Sequence, residues 1–98
     1  MKVRWTPEAE DDRVQIFDYI AADSPRSAIK MDELFSRAAA RLADHPQYGR
    51  AGRIPGTREV VAHKSYCLVY EIEQDTAQDI IWVLALVHTA RQWPPVTE

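Results

Sequence analysis

The apolar positions of this chain change period twice. Residues 2–5 alternate charged and apolar, with Val3 and Trp5 on one side, which is the two-residue period of a short strand. From residue 7 the spacing lengthens to a helical one. Ala9, Ile16, Phe17 and Ile20 form the inward stripe, and Arg13 interrupts it at the edge, its stem on apolar surface and its head in water. Thr6 is the predicted N-cap and Pro7 the first helical residue, while Glu8, Glu10, Asp11 and Asp12 crowd the positive end of the helix dipole. Asp23-Ser24-Pro25 repeats that start signal for a second helix running to about Asp44. Its apolar positions, Ala28, Met31, Phe35, Ala38 and Leu42, step by three and four, and Leu34 widens the seam. A turn of a few residues between two such helices predicts an antiparallel hairpin.

Beyond His45-Pro46 comes a glycine-, proline- and arginine-rich loop, and the period then returns to two. Three strands are predicted: Arg58 to Ala62, Tyr66 to Ile72 and Ile80 to Val87. Short connections make them an antiparallel meander, with a polar turn over 74–79. In the second, Tyr66, Leu68, Tyr70 and Ile72 share a face opposite Cys67, Val69, Glu71 and Glu73. The third is apolar on both parities, so both its faces are covered and it lies inside the sheet. Strict alternation there puts Trp82, Leu84 and Leu86 opposite Ile81, Val83, Ala85 and Val87. Pro94-Pro95 ends regular structure. The expected architecture is α+β: an N-terminal strand and a two-helix hairpin packed on a largely antiparallel sheet, in the order β-α-α-β-β-β.

Composition narrows the chemistry. Residues 1–98 are read as a single domain, with 46% hydrophobic and 28% charged residues, ordinary globular values. The eight-residue apolar run 80–87 is far short of the ~20 residues of a membrane helix. Residues 1–5 carry no signal-peptide core, and the one cysteine, Cys67, allows no internal disulfide, so the expected location is cytoplasmic. The net charge of -3 excludes a whole-molecule polyanion binder. From His45 to Tyr66, however, Arg50, Arg53, Arg58 and Lys64 meet one acid, Glu59, a local +3 that leaves about -6 elsewhere. Such a loop either solubilises the chain or meets phosphate or an acidic protein segment.

Several side chains are candidates for more than packing. Arg58 either binds phosphate or a carboxylate of a partner, or pairs with Glu71 or Glu73 across the sheet. His63 is either a general base or a solvated turn residue. Tyr66 either stacks on a base or covers the core, and Cys67 reads as a small packing residue. His88 and Arg91 stand at the end of the central strand, and Trp93 either seats on a partner or folds back on the sheet. Trp5 and Trp82 are expected in the core. The three histidines and one cysteine form no metal-ligand spacing, and no Gly-rich phosphate motif calls for a cofactor.

The ordered set of segments resembles the RelE/ParE superfamily, the toxins of bacterial type II toxin–antitoxin systems that include plasmid stabilisation proteins. The resemblance rests on Thr6-Pro-Glu-Ala-Glu-Asp-Asp12, Asp18-Tyr-Ile-Ala21, His45-Pro46 with its Gly/Arg loop, Ile54-Pro-Gly-Thr-Arg-Glu-Val-Val-Ala-His63, Tyr66-x-Leu-Val-Tyr-Glu-Ile72 and Val87-His-Thr-Ala-Arg-Gln-Trp-Pro94. It implies a cognate antitoxin and no cofactor, with Arg50, Arg53, Arg58, Lys64, Tyr66, Arg91 and Trp93 as target- or antitoxin-binding residues. Two activities are implied. ParE-like members poison DNA gyrase. RelE-like members cut mRNA on the ribosome, letting the RNA 2′-OH attack the adjacent phosphate; here Arg58, His63, His88 and Arg91 would be the catalytic set. RelE-like chains commonly carry arginine where Cys67 stands, and cysteine makes no charge-assisted bond to phosphate. With the ending His88 to Pro94, this places the chain on the ParE side. A copy that only binds antitoxin is the third reading.

Overall fold

The structure, a computed structural model, describes residues 1–74 and 78–95. The elements run β1 (Lys2–Trp5), α1 (Pro7–Ala21), α2 (Pro25–Asp44), β2 (Arg50–Ala51), β3 (Arg58–His63), β4 (Tyr66–Glu73) and β5 (Ile80–His88). They build one five-stranded sheet in the order β1-β5-β4-β3-β2. The meander β3-β4-β5 is antiparallel, β1 joins β5 in parallel, and β5 lies inside the sheet as its apolar character requires. The α+β expectation holds, with one strand more than the sequence suggested: Arg50 and Ala51, read as loop, pair with Glu59 and Arg58. Part of the polar turn expected over 74–79 lies outside the described residues.

Both helices begin where the chemistry says. The Thr6 hydroxyl accepts from Ala9 N and the Ser24 hydroxyl from Ser27 N, each followed by proline. The hairpin is closed by Arg13. Its guanidinium grips Asp32 with two nitrogens, also reaches Ser36, and lies 4.7 Å from the centre of the Trp5 ring. The residue read as a snorkelling edge thus ties α1, α2 and β1 together. Phe17, expected in the stripe, lies instead beside Val14, Arg13 and Asp32 in a shallow groove.

The core lies between the hairpin and one face of the sheet. Phe35, Leu42, Leu68, Tyr70, Ile81 and Val83 are buried there with Ala9, and Trp5, Ile16, Ile20 and Met31 close it. The alternation predicted for β4 holds, with Tyr66, Leu68 and Tyr70 in this core. That of β5 does not. Its register against β4 shifts after Tyr70↔Val83, so that Val69 opposes Ala85 and Leu84 is an extra residue. This β-bulge reverses parity, because two residues of β5 face one of β4. Leu86 therefore joins Ile81 and Val83 in the core, while Ala85 and Val87 turn to the far face with Val69, under Trp93. Trp82, expected in the core, also lies off it: it is half-buried and its indole N–H donates to Glu73 at 2.6 Å.

Candidate functional site

The arginine loop is built around one buried carboxylate. Glu59 is 1% exposed on the far face of β3. Its oxygens accept from the Arg53 backbone N–H at 2.8 Å, the Arg53 guanidinium at 2.9 Å and the Arg50 guanidinium at 3.3 Å. Burial alone pushes this carboxyl up, but the Arg53 side-chain and backbone bonds and the Arg50 bond outweigh it and hold the pKa at about 2. Cys67 completes the cluster. Its thiol is pushed up by burial and then by the Glu59 charge, so it stays protonated and donates to Oε1 at 3.7 Å.

The same loop is fastened from the helix side. The buried Tyr70 hydroxyl donates to Pro46 O at 2.7 Å and accepts from Gly49 N at 2.9 Å. Arg58 donates to Gly49 O at 2.9 Å and Gln47 O at 3.4 Å, not to Glu71 or Glu73. Glycine is required at 49, where a Cβ would sit 2.8 Å from the Tyr70 ring and 2.9 Å from Glu59 O. Three of the four basic residues between His45 and Tyr66 are thus engaged with the chain itself.

A second group gathers at the opposite end of the meander. Tyr66, Leu86, His88, Ala90 and Arg91 line an open cleft of about 630 Å³ with Asp12, Gln15, Ile16 and Tyr19 of α1. Tyr66 is 8% exposed and packs edge-on against Phe35 at 5.6 Å and His88 at 5.2 Å. Burial, with Tyr19 nearby, pushes its phenol up, so it is a neutral donor at physiological pH. His88 Nδ1 accepts from Ala90 N at 3.0 Å, which in the neutral ring puts the proton on Nε2. Thr89 ties this rim to the β3–β4 turn, bonding Ser65 O at 2.8 Å and Lys64 O at 3.0 Å. His63 faces that turn, its Nδ1 accepting from Ser65 N at 3.1 Å.

One contributor had no signal in the sequence beyond helix-dipole chemistry. β1 ends at Trp5, and three residues past its last partner in β5 the Leu86 N–H is taken by Asp12 of α1 at 3.1 Å. Burial pushes the Asp12 carboxyl up; the Leu86 bond opposes this, Asp11 adds to it, and Arg91 opposes it.

The nine residues singled out in the sequence therefore divide. Tyr66, His88 and Arg91 line one cleft, with Lys64 and His63 on the adjoining turn. Arg50, Arg53 and Arg58 belong to the loop at the far end of β3, roughly 16 Å along the strand from His63 to Arg58 at ~3.3 Å per residue. Trp93 folds back over Val69, Ala85 and Val87, with no hydrogen-bond partner for its indole N–H among the described residues. No group of three potential metal ligands occurs among the described residues, and none of their helices is long and apolar enough to cross a membrane.

Comparison with known proteins agrees with this architecture. Residues 3–93 match the family model described as the ParE toxin of the type II toxin-antitoxin system, parDE. Y4kP of Sinorhizobium fredii, whose name marks it as a candidate toxin, is 35% identical over 96 residues, spanning 97% of this chain and 95% of that protein. Toxin RelE2 of Caulobacter vibrioides is 32% identical over 90 residues, 92% and 97% of the two chains. In fold, the chain is similar to a chain of the chromosomal ParDE system of P. aeruginosa (TM-score 0.74, 21% identity, 90% and 95% covered). It is also similar to the YoeB/ParE toxin from Agrobacterium tumefaciens (TM-score 0.62, 17% identity, 90% and 98% covered). The chain belongs to the ParE toxin family of the RelE/ParE superfamily, the toxin half of a type II toxin–antitoxin module whose other half is a cognate antitoxin.

Proposed function

We propose that this toxin is ParE-like in its target, inhibiting DNA gyrase by binding it, with no bond-breaking chemistry of its own. The observation that carries this reading is the engagement of the arginine loop. RNA cleavage by 2′-OH attack needs a base, an acid and charge stabilisation gathered at one phosphate. Arg50 and Arg53 instead satisfy buried Glu59, Arg58 satisfies loop carbonyls, and Cys67 supplies no charge. Arg58 stands at the opposite end of β3 from the rim that carries His88 and Arg91, so the four-residue set considered for catalysis does not meet.

The alternative, ribosome-dependent mRNA cleavage, draws support from two observations. Tyr66, His88 and Arg91 do share a cleft, and a 32% identical relative is named RelE2. The test is to add purified toxin to gyrase and relaxed plasmid, and in parallel to programmed ribosomes. Blocked supercoiling with intact mRNA is the expected result. In-frame mRNA cleavage with unimpeded gyrase would replace this reading by the alternative.

A further inference from the structure

We infer that His63 and His88 are paired positioning residues, whose imidazoles act as hydrogen-bond acceptors that hold two turns of the rim in the one shape that meets the target; this rests on the gyrase reading above for the partner involved. The two rings stand in one cross-strand row, His63 opposite Tyr66 and Tyr66 opposite His88. Each closes the turn that follows it in the same way. His63 Nδ1 accepts from Ser65 N at 3.1 Å, and His88 Nδ1 accepts from Ala90 N at 3.0 Å. Thr89 joins the two turns, its N–H donating to Ser65 O at 2.8 Å and its hydroxyl to Lys64 O at 3.0 Å.

The β3–β4 turn needs this fastening. Only Lys64 and Ser65 separate the paired His63 and Tyr66. Two-residue hairpin turns that match the strand twist put a central residue at positive φ, which is why glycine and asparagine fill them. Among the described residues Gly56 alone has a positive φ. The turn sequence therefore lacks the usual chemistry, and the His63 and Thr89 side chains supply the bonds that hold it.

The rim held in this way carries two of the basic residues expected to meet a partner. Arg50, Arg53 and Arg58 are engaged with their own loop. Lys64 lies in the first rim turn and Arg91 in the second, where its N–H donates to His88 O at 2.9 Å; both side chains are exposed. The Asp12 carboxylate offsets part of the Arg91 charge, so what the rim contributes is the placing of its groups more than its charge. The same bonds argue against acid–base work by either histidine. A general base needs a free lone pair, and each Nδ1 pair is taken by a backbone N–H, which in the neutral ring leaves the proton on Nε2.

Asparagine separates positioning from proton transfer. Its side-chain oxygen stands where Nδ1 does and accepts the same N–H two residues on, but it is no base. The test compares wild type, His63→Asn, His88→Asn, His63→Ala, His88→Ala and Thr89→Val in gyrase supercoiling and ribosomal mRNA cleavage. Nitrogen NMR of the imidazoles at mildly alkaline pH and amide exchange at Ser65 and Ala90 read the turns directly. All three side chains are exposed or half-buried, so the variants fold. The expected spectra show both rings with a bare Nδ1. Each alanine variant should speed exchange at its own turn amide and raise the half-inhibitory concentration about threefold to tenfold, and Thr89→Val about threefold. The asparagine variants should stay within about twofold of wild type, since they keep the bond. A proton on Nδ1 of both rings, or alanine variants that inhibit as wild type does, overturns the inference and leaves the gyrase reading intact. If wild type spares gyrase and cuts mRNA, the gyrase reading falls by itself. Cleavage kept by the asparagine variants and lost by the alanine variants then upholds the positioning role, and cleavage lost by both overturns it.

Discussion

Glu59 shows how one residue can cancel the apparent meaning of its neighbours. Counted along the sequence, it is one acid against four bases; folded, it holds two of them. Breaking a buried pair leaves its partners uncompensated, so Glu59→Gln should lower unfolding free energy by about 2–4 kcal/mol in urea titrations at pH 7. The pH dependence follows from the depressed pKa. The folded value of about 2 lies below the ordinary 4.5, so this stabilisation is complete above pH 4.5 and is lost as pH falls towards 2. The full effect is about 3 kcal/mol, and Glu59→Gln should flatten that part of a stability–pH profile. Gly49→Ala makes a separate case: the added Cβ meets the Tyr70 ring and the Glu59 backbone, and about 1–3 kcal/mol should be lost in the same titration. None of this was legible in the sequence, where Arg50, Arg53 and Arg58 carry no mark separating an internal partner from an external one. Arg13 escaped full reading for the same reason: its ion pair with Asp32 joins residues nineteen apart.

Among the elements, the two helices and the meander were readable because each carries its own periodic signal and its own caps. Thr6-Pro7 and Ser24-Pro25 are local chemistry, and local chemistry survives folding. β2 was not readable. Two residues, Arg50 and Ala51, hold no period and pair only because the loop is folded back on β3. The bulge at Leu84 was equally hidden, since a wholly apolar strand gives no polar residue to betray a change of face. It has a measurable consequence. Strict alternation makes Leu84 and Leu86 equivalent, whereas the bulge leaves Leu84 half-buried and Leu86 4% exposed in the core. Leu86→Ala should cost about 2–4 kcal/mol, and Leu84→Ala about 1 kcal/mol, by denaturant unfolding. Equal costs would argue for an unbulged strand.

At the scale of the whole molecule, the meander separates two kinds of polar group. One end holds a loop fastened on both faces by Tyr70, Arg58 and Glu59; the other holds an open cleft lined by Tyr66, His88 and Arg91, of which Tyr66 is also a core residue. The resemblance put residues of both ends into one binding set because a strand's length is invisible in a list of residues. Family resemblance was legible from ordered segments spread over most of the chain, and the family match over residues 3–93 agrees with it. The choice of target was not, since the resemblance implies both activities for one and the same set of ordered segments.

Plasmid topology in cells, sampled within minutes of inducing the toxin without its antitoxin, tests the central claim most directly. Resolved on intercalator gels beside primer extension of abundant mRNAs, it reports both targets from one culture. Relaxed plasmid with intact transcripts is the predicted outcome. Normally supercoiled plasmid with transcripts cut at in-frame positions would contradict it.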